Sequence, residues 1–125
     1  MENDRAKFKK DFKARIYRWT LSLVKFTANL PKNLTTDVMG KQLMRSGTSV
    51  IANYIEANSA SSKKDFTNFF THALKSANES KVWLSLIKDT SADSKVINSI
   101  PALLAELNEI SKILASSIMK LKGKK

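Results

Sequence analysis

Apolar residues recur at helical spacing along four segments of the chain, with polar residues between them. In the first segment, from about Asp4 to Leu30, steps of three and four residues separate the apolar positions. Those positions are Phe8, Phe12, Ile16, Trp19, Leu23, Phe26 and Leu30. A stripe with this spacing lies on one face of an α-helix. Pro31 disfavours the helical conformation for the residue before it, so the first helix is predicted to end there.

Three more helices are predicted from the same periodicity. They cover about residues 37–57, 63–88 and 93–122. Short polar side chains precede the second and third helices, where such residues accept hydrogen bonds from the free N–H groups of the first turn. The candidate N-caps are Thr35, Thr36 or Asp37 for the second helix and Ser61 or Ser62 for the third. In the fourth helix, Pro101 either kinks the helix or begins a second segment that Ser99 caps.

Four amphipathic helices joined by short polar connections predict an all-α protein. The expected architecture is an up-down-up-down antiparallel four-helix bundle. No segment shows the alternation of a strand, and 3 Gly and 2 Pro are too few for the many turns of a β-sandwich or barrel. A length of 125 residues predicts a single domain over residues 1–125, ending in a short basic tail at 122–125.

The second helix carries small and polar residues where a surface helix would vary freely. They are Ser46, Gly47, Ser49, Ala52, Asn53 and Glu56. Small side chains allow a neighbouring helix to come close, and buried polar side chains require hydrogen-bond partners. This helix is therefore expected to pack tightly against another helix.

The chain is strongly basic, with 22 Lys and Arg against 11 Asp and Glu and a formal net charge of +11. Positive residues gather in the first helix and at the C-terminal end. The C-terminal group is Lys120, Lys122, Lys124 and Lys125. This balance favours RNA, DNA or an anionic membrane surface as a partner. The alternative is a solvated surface that serves only solubility.

Composition also sets an expectation for the compartment. The chain has no Cys, which excludes a disulfide framework and thiolate chemistry. Its first residues lack the apolar core of a signal peptide. No apolar run approaches the roughly 20 residues of a membrane span. A soluble, cytoplasmic protein is expected.

Catalytic constellations are missing from the sequence. The single histidine, His72, has no Glu three residues before it, so the Glu-x-x-His pair of di-metal bundles is not present. A zinc site would need Cys or further His, and no Gly-rich phosphate loop occurs. We therefore expect no enzymatic activity, no metal and no cofactor. Because Phe69, Phe70 and Ala73 lie beside it, His72 is expected to be partly buried or at a helix interface.

Basic residues of the first helix are the best candidates for binding phosphates. Arg15, Arg18 and Lys25 share a stripe with Ser22, away from the apolar stripe, and three lysines extend the positive region toward the N-terminus. Lys and Arg in such an array neutralise phosphates and make binding strongly dependent on salt. The predicted nucleic-acid-binding residues are Lys9, Lys10, Lys13, Arg15, Arg18, Lys25 and Arg45. Tyr17 lies among them, either to stack on a base or to pack against a neighbouring element.

The aromatic residues are more numerous than one inward face requires. Phe69 and Phe70 are adjacent, so they point about 100° apart on a helix. Trp83 lies off the apolar seam of its helix. A second apolar surface indicates an oligomer interface, and wide apolar stripes on a lone bundle are the alternative.

Helix two and the start of helix three carry a recognisable pattern. Its residues here are Gln42, Leu43, Arg45, Ser49, Asn53, Glu56, Ser62, Phe66, Ala73, Ser76 and Glu79, with Leu30-Pro31 before them. This pattern resembles the four-helix-bundle proteins encoded in ribosomal RNA intervening sequences, which are related to the accessory variability determinant of diversity-generating retroelements. The sequence departs from the pattern at Met44, Ala57 and Lys75.

The resemblance implies a ring-shaped homopentamer whose positive surface engages nucleic acid. In the retroelement branch it also implies a reverse transcriptase partner and a template RNA. It suggests a structural polar network between helices or subunits, formed by Gln42, Ser49, Asn53, Glu56 and Glu79. The leading hypothesis is thus a non-enzymatic, oligomeric nucleic-acid-binding protein that favours RNA. A protein-interaction scaffold without direct nucleic-acid binding, or a bundle whose charge serves only solubility, are the alternatives.

Overall fold

The computed structural model of the protein describes residues 3–123, and four long helices account for most of them. They are α1 (Asp4–Ala28), α2 (Leu34–Asn58), α3 (Lys63–Thr90) and α4 (Ser94–Leu121). The described residues contain no strand, and the connections between helices are three to five residues long. Lys124 and Lys125 of the predicted basic tail lie outside the described residues.

Each helix packs against two others. Contacts join α1 to α2, α2 to α3, α3 to α4, and α4 back to α1, and within the described residues the backbones of the diagonal pairs are not adjacent. Short connections between neighbours make successive helices antiparallel. The predicted four-helix bundle is therefore confirmed. The α2–α3 interface is the most extensive and the α1–α4 interface the least.

The predicted start of the second helix was wrong by three residues. Asn33 is the N-cap, and its side-chain oxygen accepts from the backbone N–H of Thr36 at 3.0 Å. The backbone N–H of Asn33 donates in return to the Thr36 hydroxyl at 3.3 Å, which completes a capping box. Thr36 thus supports the cap from inside the helix. At α3 the structure selects Ser62 over Ser61, because the Ser62 hydroxyl accepts from the Asp65 N–H.

Pro101 does not divide the fourth helix. α4 is continuous from Ser94 to Leu121, and its N-cap is Asp93, which accepts from two backbone N–H groups. The Ser99 hydroxyl donates back to the carbonyl oxygen of Lys95 at 2.7 Å, so it caps no second segment. Pro101 is exposed, and its ring therefore faces solvent.

The core is formed mainly by the predicted stripes. The stripe of α1 is buried from Phe12 to Leu23, whereas Phe8 is 51% exposed at the open end of the helix. On α2, Val38 and Ile55 are also exposed, because they lie to the sides of the buried face. His72 is exposed on α3, so the prediction that it is partly buried was wrong.

Small residues of α2 account for close packing on two sides. At Gly47 an added Cβ would overlap the buried side chain of Leu23, so glycine allows α1 to approach. On the other side, the fully buried hydroxyls of Ser46 and Ser80 are 2.8 Å apart and join α2 to α3. The expectation of tight packing holds for these positions, whereas Ala52 and Glu56 are exposed.

Candidate nucleic-acid interface

The exposed surface of α1 carries five of the predicted cations. Burial of Phe12, Ile16, Trp19 and Leu23 fixes the rotation of the helix, and most of the predicted phosphate-binding residues then point outward. The exposed ones, here called the basic face of α1, are Lys9, Lys10, Lys13, Arg18 and Lys25. Their positions span more than four helical turns, with Lys9 and Lys13 toward one side of the exposed surface and Arg18 and Lys25 toward the other, beside α4.

Arg15 has a different environment from the basic face. Its Nε donates to Oε2 of Glu106 at 2.7 Å, and its Nη2 donates to Oε1 at 2.8 Å. This two-point ion pair joins α1 to α4, and both side chains are about one-third exposed. The hydrogen bond from Arg15 lowers the pKa of Glu106, against an opposing effect of burial, and the same bond raises the pKa of Arg15. The structure therefore gives Arg15 a role in holding the bundle together.

We expect the Arg15–Glu106 pair to contribute to stability in a pH-dependent way. A double-mutant cycle with Arg15→Met and Glu106→Gln should give a coupling of about 1 kcal/mol near neutral pH, at the upper end for a partly exposed, two-point pair. Because the folded-state pKa of Glu106 is lowered, this coupling is fully present at a pH above the unfolded-state pKa, which is about 4.3 for Glu. It should be lost as the pH falls through the folded-state pKa. Urea denaturation from about pH 7 to about pH 3 measures it.

The exposed Lys112–Glu109 pair on α4 is a matched comparison. Its Nζ–Oε2 distance is 3.5 Å and both side chains are more than half exposed. The same cycle there should give only a few tenths of a kcal/mol. An Arg15–Glu106 coupling no larger than this, or one that persists in acid, would contradict the assignment.

Arg45 also lies in a network, on the outer edge between α2 and α3. Its Nε and Nη2 donate to the side-chain oxygen of Gln42 at 3.0 and 2.9 Å, and Nη2 also donates to Glu79. The Glu79 carboxylate accepts a further bond from Nε1 of Trp83 at 2.9 Å. The bond from Trp83, followed by the bond and charge of Arg45, lowers the pKa of Glu79. Arg45 thus links two residues of the predicted polar network.

The other three members of that predicted network form no side-chain hydrogen bond to the side chains of Gln42, Arg45, Glu79 or Trp83. The Ser49 hydroxyl donates to the backbone carbonyl of Arg45, and the Asn53 amide donates to the carbonyl of Ser49. Both bonds stay within α2. Glu56 is exposed and makes no hydrogen bond to the other four predicted members. The buried side-chain hydrogen bond between α2 and α3 is instead Ser46–Ser80. The only sequence signal for this bond was that Ser46 and Ser80 are small polar residues on the apolar stripes of their helices.

A groove of about 890 Å³ separates the outer edges of α1 and α4. Arg18 and Lys25 line it from α1, and Lys95 lines it from α4. Trp19 lies in its floor, where Nε1 donates to the backbone carbonyl of Leu103 at 3.0 Å. Sequence reasoning did not select Lys95, because 70 residues separate it from Lys25 and only the packing of α4 on α1 brings the two helices together.

No cluster of metal-binding type is present in the described part of the chain. Residues 3–123 contain no group of three or more His, Asp or Glu side chains arranged to hold a metal ion. Within the same residues, no helix combines the length and the apolar character that crossing a membrane requires.

Comparisons with known proteins agree on the family. The family model described as 23S rRNA-intervening sequence protein matches residues 9–116. A crystal structure of a protein with unknown function from the S23 ribosomal protein family of Bacteroides thetaiotaomicron is 34% identical, with a TM-score of 0.79. The likeness covers 88% of this chain and 96% of that chain. No curated protein sequence matches significantly. The family match covers most of the chain, and the similar structure shares its four-helix fold. The chain therefore belongs to the 23S rRNA-intervening sequence protein family.

Proposed function

We propose that this protein is a non-enzymatic, homo-oligomeric nucleic-acid-binding protein that acts on RNA. The observation that carries the proposal is the basic face of α1, whose cations are exposed on one long helix. Among the described residues, Lys9, Lys13, Arg18 and Lys25 form no ion pair with a carboxylate. Exposed cations that no protein carboxylate neutralises attract phosphates.

The ion pairs divide the predicted binding residues into two groups. Contacts to phosphate are assigned to Lys9, Lys13, Arg18 and Lys25 of the basic face. Arg15 and Arg45 already donate to carboxylates of this chain, so their main contribution to RNA binding is positive potential. The net charge of +11 supports long-range attraction. The preference for RNA over DNA follows the family, whose name links it to ribosomal RNA.

Self-association is the second part of the proposal. Tyr17, Leu21 and Val24 are exposed in steps of four and three along α1. Further exposed apolar side chains lie four residues apart on α2 (Leu34 and Val38) and on α3 (Val82 and Leu86). Exposed apolar groups of this kind mark interaction sites on small proteins. Patches on different helices favour a head-to-tail ring, and five copies, as the family resemblance implies, would carry five times the charge of one chain.

The proposal extends to location and partners. A cytoplasmic protein that holds a structured RNA would suit an accessory factor for a reverse transcriptase, as the retroelement branch of the sequence resemblance implies. In that setting, the basic face binds the template RNA, and exposed apolar side chains bind the reverse transcriptase.

A salt series on purified protein tests direct RNA binding. We expect tight binding to a labelled structured RNA at low salt, with log affinity falling linearly as log salt rises. Four phosphate contacts on an RNA strand predict a slope of about −3, at roughly −0.7 per contact. A matched duplex DNA is measured in parallel, and light scattering gives the mass of the same sample. Absence of binding at low salt by a folded oligomer would contradict the proposal.

The protein-interaction scaffold remains a second candidate because of the exposed apolar side chains. It predicts weak affinity for bare RNA. It also predicts loss of a protein partner when Leu34 and Val38 are replaced by Ser, two exposed positions at the start of α2. Light scattering on the same variant shows whether the patch serves self-association or a different protein.

A further inference from the structure

The groove between α1 and α4 has the features of a binding site for a nucleotide. It lies on the side of the bundle where helix contacts are fewest. Its volume of about 890 Å³ is within the range of roughly 300–1,000 Å³ for sites that enclose a small organic ligand. Its floor is apolar, with Phe26 partly exposed. A groove of this size on a helical bundle can hold a planar ring.

Charge in the groove favours an anion. Arg18, Lys25 and Lys95 are exposed cations on its two walls. The two carboxylates that also line it are already engaged by the protein. Asp93 accepts from two backbone N–H groups at the start of α4, and Glu106 is paired with Arg15. Its three cations outnumber its two carboxylates, so the groove carries a net positive charge above an apolar floor.

We infer that this groove holds an unpaired nucleotide of the RNA, with its phosphates on Arg18, Lys25 and Lys95 and its base in the groove near Phe26. The inference rests on the proposed function and adds a preference to it. Bases in a duplex are stacked and paired, whereas those of a single strand or loop can turn out and stack on aromatic side chains. The groove thus selects single-stranded RNA over a blunt duplex.

Filling the groove tests this assignment without changing charge. Ala102 lines the groove, and Ala105 lies on the same helix outside it; both are exposed. Ala102→Trp should weaken binding to a single-stranded RNA about tenfold and leave binding to a blunt RNA duplex unchanged, since base stacking contributes roughly a tenfold or larger effect per base. Ala105→Trp should change neither. Circular dichroism confirms the fold of both variants.

A second pair of variants tests the phosphate contact from α4. Lys95→Gln should make the salt slope on single-stranded RNA shallower by about 0.7, the value for one contact. Lys120→Gln removes an exposed charge at the far end of α4 and should leave the slope unchanged. The salt slope of the Lys95→Gln variant therefore tests the groove independently of the basic face.

The outcomes separate this inference from the proposed function. Equal effects of Ala102→Trp and Ala105→Trp on single-stranded RNA, with tight binding by the unaltered protein, would overturn the groove site and leave RNA binding intact. Equal affinity of the unaltered protein for single-stranded and duplex RNA would also overturn the groove site. If the unaltered protein binds neither RNA at low salt, the proposed function fails, and the groove assignment fails with it.

Discussion

Replacing Arg18 and Lys25 together by Glu is expected to lower RNA affinity about 100-fold at moderate salt, because two phosphate contacts are lost and two repelling charges are added. Both residues are exposed on the basic face and both line the α1–α4 groove. The slope of log affinity against log salt should become shallower by about 1.4 on a single strand, at roughly 0.7 per contact. Fluorescence anisotropy across a salt series measures both quantities.

The control is a double variant that changes the net charge of the protein by the same amount. Lys63 and Lys64 are exposed at the start of α3, away from the basic face, and their double replacement by Glu alters the total charge equally. If total charge alone governs binding, both double variants will lose affinity alike, and the assignment to α1 is wrong. Arg15 is unsuitable for this test, because Arg15→Glu would place a second carboxylate against Glu106.

Replacing Tyr54 by Ala is expected to lower the free energy of unfolding by about 3–5 kcal/mol, the range for removing a large buried aromatic ring. Tyr54 is 1% exposed and lies between two other rings. Its ring meets Phe12 of α1 edge-on at 5.1 Å and Phe70 of α3 at 5.5 Å. One side chain of α2 thereby joins three helices. Urea denaturation followed by circular dichroism gives the free energy.

Tyr54→Phe separates the ring from its hydroxyl. The hydroxyl donates to the backbone carbonyl of Lys9 at a long 3.3 Å, so its loss should cost no more than about 1 kcal/mol. The ring also supports the N-terminal half of α1, where Lys9 and Lys13 belong to the basic face. A cost below about 1 kcal/mol for Tyr54→Ala would contradict this account, since it would mean that the aromatic cluster repacks around the gap.

Much of the candidate site was visible in the sequence because it depends on one helix. Once the apolar stripe of α1 is known, its exposed positions follow from the helical period, and Lys9, Lys13, Arg18 and Lys25 are exposed as expected. Arg15 has the same local sequence features as Arg18. The difference between them is Glu106, which is 91 residues away and comes into contact only when α4 packs on α1.

The same limit applies to the groove and the polar contacts. Lys95 and Ala102 belong to the candidate site only because α4 lies beside α1. The Ser46–Ser80 bond depends on the register between α2 and α3. Glu56 matched the family pattern equally well, yet it is exposed. A pattern within one helix indicates which side chains share a face, but it does not indicate which neighbour that face meets.

The sequence by itself determined the four helices, the all-α bundle, the positive charge of α1 and the family resemblance. These features depend on local periodicity, on short connections and on composition, all of which are present in a single chain read in order. The tertiary structure decided that Arg15 and Arg45 pair with carboxylates, that Gly47 admits α1, and that a cationic groove opens between α1 and α4. Those features require the relative position and rotation of helices distant in sequence, which close packing of the whole core fixes.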